Sequence, residues 1–387
     1  MPTPHHEVYR RLQQHMDAGP EGFPATRSGL DLRLLELLFT PEEARIALLL
    51  STVKLEPAGK LYRRARNEGL DLGPEAFQEH LDRMYHKGIL LRYREGFKEP
   101  RYKNAGVAAG GVIDFQVDRL TPELVDVYHR YQAERRAEAA PAAGPGFLPL
   151  RTVPVVESLP EAELHRVATY DDVRRLVAEA PGPLAVANCV CRQTKDIEGT
   201  PCAYSDLRET CLQLGPDHAR QYVEMGIGRL IDHEEAYVIL DRAQEAGYIL
   251  QPENSLKPEA ICCCCGDCCV LLSRITRAPR PADLYASNYF ATTDTALCNG
   301  CGVCLERCQL TARAMDNSVA TTNLDRCIGC GNCVVTCPTG AIALQRKPAL
   351  QKPPRDKDAG NLEMLKRKRG PWRTLLLRAK LAMGMRV

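Results

Sequence analysis

CNGCGVCLERCQ at 298–309 and CIGCGNCVVTCP at 327–338 are one pattern written twice, offset by 29 residues. Each run reads C-x2-C-x2-C-x3-C. Three cysteines at that spacing wrap a tight loop whose backbone amides point inward. Gly300, Gly302, Gly329 and Gly331 permit the path because they carry no Cβ. Soft thiolates in such a loop suit an iron–sulfur cluster far better than a hard cation. A pair of zinc-ribbon sites is the alternative, but zinc normally pairs C-x2-C knuckles rather than four-cysteine runs.

Working outward, the chain has 387 residues and 18 cysteines. All of them fall between Cys189 and Cys337. Cysteines used as core residues would scatter, so their confinement points to metal ligation. The first residues, MPTPHHEVYRRLQQHMDAGPEG, lack the apolar stretch of a secretory signal. The longest apolar stretch, LLELLFTPEEARIALLL, is interrupted by Glu36, Pro41, Glu42, Glu43 and Arg45. The expected location is cytoplasmic, where structural disulfides are rare. Net charge is +2, but from Lys347 onward twelve Lys/Arg stand against three Asp/Glu, which leaves the remainder acidic.

The paired runs resemble bacterial two-cluster ferredoxins over about 50 residues. The resemblance implies two [4Fe–4S] clusters on a pseudo-two-fold fold, the fourth cysteine of each run crossing to the other cluster. Carried onto this chain, one cluster takes Cys298, Cys301, Cys304 and Cys337. The other takes Cys327, Cys330, Cys333 and Cys308. Gln309 stands where Pro338 closes the second run, a departure expected to loosen a turn without removing a ligand. A cluster changes charge by one electron with little geometric change, so the implied role is electron transfer. The potentials of such clusters span roughly −700 to +450 mV, and the sequence does not fix these two within that range.

Ten further cysteines lie upstream: Cys189 and Cys191 in CVCRQ, then Cys202 and Cys211, then six in ICCCCGDCCV at 261–270. Strand neighbours point to opposite sides, and positions 262, 265 and 268 repeat the C-x2-C-x2-C step. Cys262, Cys265 and Cys268 are therefore expected on one face, with Cys189 or Cys191 completing a site near Arg192. Cys202 and Cys211 extend the candidate metal ligands. One or two further [4Fe–4S] clusters are the reading taken. A structural zinc site with spare thiols and a reversible dithiol centre stay open. CVCR, ETCL and ICCCCGDCC ahead of the paired runs resemble multi-cysteine ferredoxin-domain proteins of anaerobic bacteria over about 30–345. That resemblance implies no particular reaction.

The expected fold class is α+β and multidomain. A winged-helix-like unit plus helix is expected at 29–140 and a mostly helical, cysteine-rich unit at 150–285. A ferredoxin-like 2[4Fe–4S] unit follows at 288–346 and a basic tail with an amphipathic helix at 347–387. In the first, TPEEARIALLLS opens with Thr40 as cap and Pro41 at the first helical position. PAGKLYRRARNEG and GPEAFQEHLDRMYHKG end on glycines, and ILLRYREGFKEPRYKN alternates like a hairpin. APAAGPGFLPL reads as a linker.

Window 31–103 carries 14 basic and 12 acidic residues. Glu75, Glu79 and Asp82 lie on the helix that a winged-helix protein would lay against DNA. Phosphate neutralisation drives that binding, so no nucleic acid partner is expected, and the unit reads as a docking or dimerisation element. The tail spaces Trp372, Leu375, Leu376, Ala379 and Met383 helically, after KRKRG. It suits an anionic membrane surface, a partner's groove or the protein's own acidic remainder. No hydrolytic or nucleotide-binding motif appears.

The chain thus reads as an electron-transfer component with redox partner proteins, not as an enzyme by itself. The alternatives are a redox-sensing regulator that uses the winged-helix-like unit, and a metalloenzyme subunit acting at the middle site.

Overall fold

The computed structural model describes residues 4–94, 96–107, 111–138, 148–161 and 167–382. It is a mixed α/β structure with several small antiparallel sheets. The chain forms two compact units, each assembled from separated stretches. One comprises Met1–Ala139, Ala219–Arg229 and Asn361–Val387; the other comprises Ala140–His218 and Leu230–Gly360. The stretch read as a linker lies, up to residue 147, outside the described residues, as does Met383 of the tail.

In the first unit, helices Pro4–Asp17, Leu30–Leu38 and Pro41–Ala47 precede β1 (Glu56–Pro57). Thr40 starts the third helix with a reciprocal cap. Its Oγ1 accepts from Glu43 N at 3.2 Å, while Thr40 N donates to the Glu43 carboxylate at 2.8 Å. This satisfies two end donors that the helix itself cannot. Helices Ala58–Asn67 and Pro74–His86 follow, then β2 (Leu90–Tyr93) and β3 (Arg101–Asn104), giving an antiparallel sheet of order β1-β3-β2. Phe77, Leu81 and Met84 turn one helix face into the core.

A remote stretch completes this unit. Glu224, within 219–229, accepts from the Tyr85 hydroxyl at 2.7 Å and from the Arg92 guanidinium at 2.5 Å, and that guanidinium stacks 3.6 Å above the Tyr85 ring. On helix Lys357–Arg369, Lys368 reaches Asp17 at 3.3 Å. On helix Pro371–Ala382, Trp372, Leu375 and Leu376 are exposed, while Thr374 and Leu377 are buried.

Residues 150–285, expected to be mostly helical, hold six α-helices among the described residues. What the expectation lacked is the five-stranded sheet, of order β6-β4-β5-β8-β7, on which they are organised. Its strands are β4 (Leu184–Asn188), β5 (Glu209–Leu214), β6 (Arg229–Ile231), β7 (Ile249–Pro252) and β8 (Ala260–Cys264). The β4/β5, β5/β8 and β8/β7 pairings are antiparallel. The strands are short, and the cysteines themselves supply much of β8's apolar side-chain surface. A ligand-rich run thus hid a strand.

The residues after 285 belong to the same compact unit. There β9 (Tyr289–Thr293) pairs with β12 (Ile342–Arg346), and β10 (Arg313–Asp316) with β11 (Val319–Thr322), all antiparallel. Each four-cysteine run sits between two of these strands and contains a one-turn helix, Val303–Glu306 or Asn332–Val335. Repeating strand, loop, helix and strand gives the region its internal two-fold pattern.

The sheet separates two cores. Ile249, Leu272, Tyr285, Ile328 and Leu344 share one with Cys264 and Cys269. Val186, Leu212, Leu240, Tyr248 and Ile261 share the other with Cys263, Cys265 and Cys268. Neighbouring cysteines of β8 therefore go to opposite sides, as the pleat requires.

Candidate metal centre

The second run lines a pocket, the second in chain order, with Cys308, Cys327, Cys330 and Cys333 in its wall. The first run lines a pocket of its own, the first in chain order, with Cys298, Cys301, Cys304 and Cys337 in its wall. In each, three cysteines come from one run and the fourth from the other. Burial separates the two. Cys327 and Cys333 are buried and Cys330 is partly covered, whereas Cys301 is exposed.

Amides aim at the sulfurs. Ala312 N donates to Cys308 Sγ at 3.2 Å, Ala291 N to Cys327 Sγ at 3.4 Å, and Ala320 N to Cys298 Sγ at 3.4 Å. Arg313 Nη2 lies 4.0 Å from Cys304 Sγ. Such donors stabilise an anionic, thiolate-ligated group. Burial pushes the Cys330 thiol up to about 12 and that of Cys333 still higher. Bare thiols there stay protonated at neutral pH, and it takes a bound metal to draw the proton off.

The loops need their glycines. Gly300 and Gly329 have φ of +71° and +63°; a Cβ would lie 2.6 Å from Ser318 O and 2.2 Å from Tyr289 O respectively. The donor set, the inward amides and the pocket walls all fit a [4Fe–4S] cluster. Gln309, expected only to loosen a turn, has a structural task. Its Oε1 accepts from Gly266 N at 2.5 Å, and its Nε2 donates to Gly247 O. Asn332 Nδ2 donates to the same Gly247 carbonyl at 2.7 Å. Both runs are thereby anchored on the turn that precedes β7.

The upstream cysteines do not form the expected face. Cys262 and Cys265 stand three positions apart, an odd offset, and they pack into the two different cores. On one side six thiols form a chain of neighbours. Cys211 lies opposite Cys262 in the strand register, and its thiol interacts with that of Cys262. Cys262 meets Cys264, Cys264 meets Cys269, Cys269 meets Cys191, and Cys191 meets Cys189. Hydrogen bonds from Cys211 and Cys191 hold Cys262 and Cys269 toward thiolate, while Cys264 and Cys189 are pushed up by the thiols they support. Cys264 and Cys269 were not among the expected ligands; the shared parity of 262 and 264 was the available signal.

On the other side Cys202, Cys265 and Cys268 gather with Asp267. Asp267 was also missed, because a lone carboxylate inside a cysteine run carries no distinguishing pattern. Arg192 lies beneath, fully buried.

A protein-family model described as a 4Fe-4S binding domain matches residues 320–343, which contain the second run. This match and the clustered cysteines point to iron–sulfur binding, the chemistry that electron transfer would need. No curated protein and no solved structure matched the chain. Among the described residues, no helix is long and apolar enough to cross a membrane.

Proposed function

We propose that this protein relays single electrons through two [4Fe–4S] clusters to or from a partner oxidoreductase. The supporting observation is the sorting of eight cysteines into two pockets, each with a complete set of four. Cys298, Cys301, Cys304 and Cys337 would hold one cluster, and Cys308, Cys327, Cys330 and Cys333 the other. When bound, such clusters accept and release one electron at a time. The chain's own contribution is to orient amides at the sulfurs and to exclude water, more completely around the second pocket. Exposed Cys301, with Val303 and Met315 in the wall of its pocket and exposed Leu297 beside it, makes the first pocket the docking face for a redox partner. The exposed Trp372, Leu375 and Leu376 are a second contact surface, suited to an anionic membrane or a partner's groove.

The six-thiol chain favours a further reading, a third iron–sulfur centre held by cysteines chosen among Cys189, Cys191, Cys211, Cys262, Cys264 and Cys269. A regulator is the competing function. The helix–strand order of the first unit supports it, while exposed Glu75 and Glu79 on helix Pro74–His86 oppose it.

Iron and acid-labile sulfide on anaerobically purified protein test the proposal. About eight irons per chain with an EPR signal after dithionite support it, and about twelve add the third centre. Colourless protein without such a signal refutes it. Cluster-dependent binding of DNA would move the function to the regulator.

A further inference from the structure

Outside the two pockets, one set of donors among the described residues is drawn closely together. Cys202, on the segment 198–208, meets Cys265, Asp267 and Cys268 from the turn after β8. Their sulfurs and a carboxylate oxygen all lie within 4.8 Å of one another. Cys202 Sγ is 3.7 Å from Cys265 Sγ and 3.8 Å from Asp267 Oδ1. We infer that Cys202, Cys265, Cys268 and Asp267 hold a single tetrahedral Zn²⁺, a site separate from the proposed electron path.

Distance separates one ion from a cluster. With zinc–sulfur bonds of about 2.3 Å, thiolates at the corners of a tetrahedron stand roughly 3.8 Å apart. A [4Fe–4S] cube holds its thiolates apart by its own four-iron width. The spacing at Cys202 and Cys265 is that of the first geometry. Among the described residues, this is the one set of three or more such donors drawn so close; the ferredoxin cysteines surround wider pockets.

The local chain supports the same assignment. Cys265-Gly266-Asp267-Cys268 is a C-x2-C knuckle, the spacing at which zinc sites are built. The carboxylate is aimed, because Asp267 Oδ2 accepts from Ala203 N at 2.8 Å, next to Cys202. The knuckle is fixed at Gly266 by Gln309, and the Tyr248 hydroxyl lies 3.8 Å from Cys202 Sγ. These groups orient the ligands from behind, as outer partners of metal ligands do.

Charge gives an independent argument. Three thiolates and a carboxylate outweigh the two charges of the ion, so the loaded site is anionic. Arg192 is a buried cation whose hydrogen-bond partners are neutral: Thr210 Oγ1 and Cys263 O. Its guanidinium lies 3.8 Å above the Tyr248 ring, and Nε has no partner among the described residues. A buried cation without an anion is costly. The Tyr248 ring bridges the two, since its hydroxyl end meets Cys202 and its face covers Arg192. A zinc–thiolate site supplies the missing negative charge. Four protein donors leave no open position, which marks the ion as structural, pinning 198–208 to the end of β8.

The test uses full-length protein purified anaerobically from iron-replete cells. Zinc and iron are counted per chain, and the site is reloaded with Co²⁺ for visible spectroscopy. About one zinc per chain and a tetrahedral cobalt spectrum with thiolate charge-transfer bands are expected. Cys202→Ala should remove the zinc without changing the iron count, and Cys330→Ala should lower iron while leaving the zinc. Asp267→Asn changes only an exposed side chain; it should weaken zinc at least about tenfold in chelator competition, no less than loss of an outer partner does. The inference is overturned if zinc is absent from wild type, if Cys202→Ala lowers iron, or if cobalt reports six-coordination.

Discussion

Replacing Gln309 with leucine removes both hydrogen bonds that tie the end of the first run to the knuckle and to the turn before β7. The side chain is 8% exposed, so water does not replace them freely. The two partners are affected unequally. Gly266 N loses the acceptor it had, whereas Gly247 O keeps Asn332 Nδ2 at 2.7 Å. An orphaned buried donor costs about 1–3 kcal/mol and a lost but replaceable bond about 1 kcal/mol. Gln309→Leu should therefore cost about 2–4 kcal/mol. Asn332→Ala alone leaves Gly247 O paired with Gln309. The double variant strips that carbonyl of both donors, so it should cost about 1 kcal/mol or more beyond the sum of the singles. The assay is urea unfolding under anaerobic conditions, read from far-UV circular dichroism and from cluster absorbance. Additive single costs, or a Gln309→Leu cost below about 0.5 kcal/mol, would refute the shared-carbonyl argument.

Asp171→Leu should be severe. Arg151 and Asp171 form an ion pair 0% and 1% exposed, and Asn288 Nδ2 donates to the same carboxylate at 2.7 Å; losing the acid leaves a buried cation and costs about 3–5 kcal/mol of unfolding free energy, measured by urea unfolding. Gly329→Ala forces a Cβ against Tyr289 O at a positive φ, so iron per chain should fall by about four while the first pocket stays loaded. Burial holds His218 down at about 4, against an ordinary value near 6.5. Between those values the unfolded chain binds more protons than the folded one, so stability falls as pH falls through that window, by about 2 kcal/mol from pH 7 to pH 5. His218→Gln should flatten that part of the profile, and an unchanged slope contradicts the assignment. Trp372 is the sole tryptophan and is 77% exposed. Its emission should shift to the blue on anionic lipid vesicles and return at high salt; no shift leaves a protein groove as the tail's occupant.

The two sets of pocket-lining cysteines were largely legible because much of their information is local. C-x2-C-x2-C sets three thiols within one loop, and the resemblance supplied the fourth from across the pseudo-two-fold. The upstream cysteines were not legible as groups. Cys211 meets Cys262 through the pairing of β5 with β8, and Cys202 arrives from a segment over 60 residues away in sequence. Neither relation has a spacing signature. Counting in threes from Cys262 also overrode the pleat's period of two. Gln309 showed as a missing proline, and its hydrogen bonds to Gly266 and Gly247 could not be read from its neighbours. Thr40 and Glu43 announced a helix start by themselves, but nothing near Arg92 pointed to Glu224, 132 residues away.

The division of the chain bears on how it can be cut. A fragment of residues 1–139 omits Glu224, the partner of Tyr85 and Arg92, and Lys368, the partner of Asp17. Residues 140–360 in one piece bring along 219–229, a stretch whose packing belongs elsewhere. Neither half is therefore a portable module, and shuffling the N-terminal part between proteins would require two grafts farther down the gene.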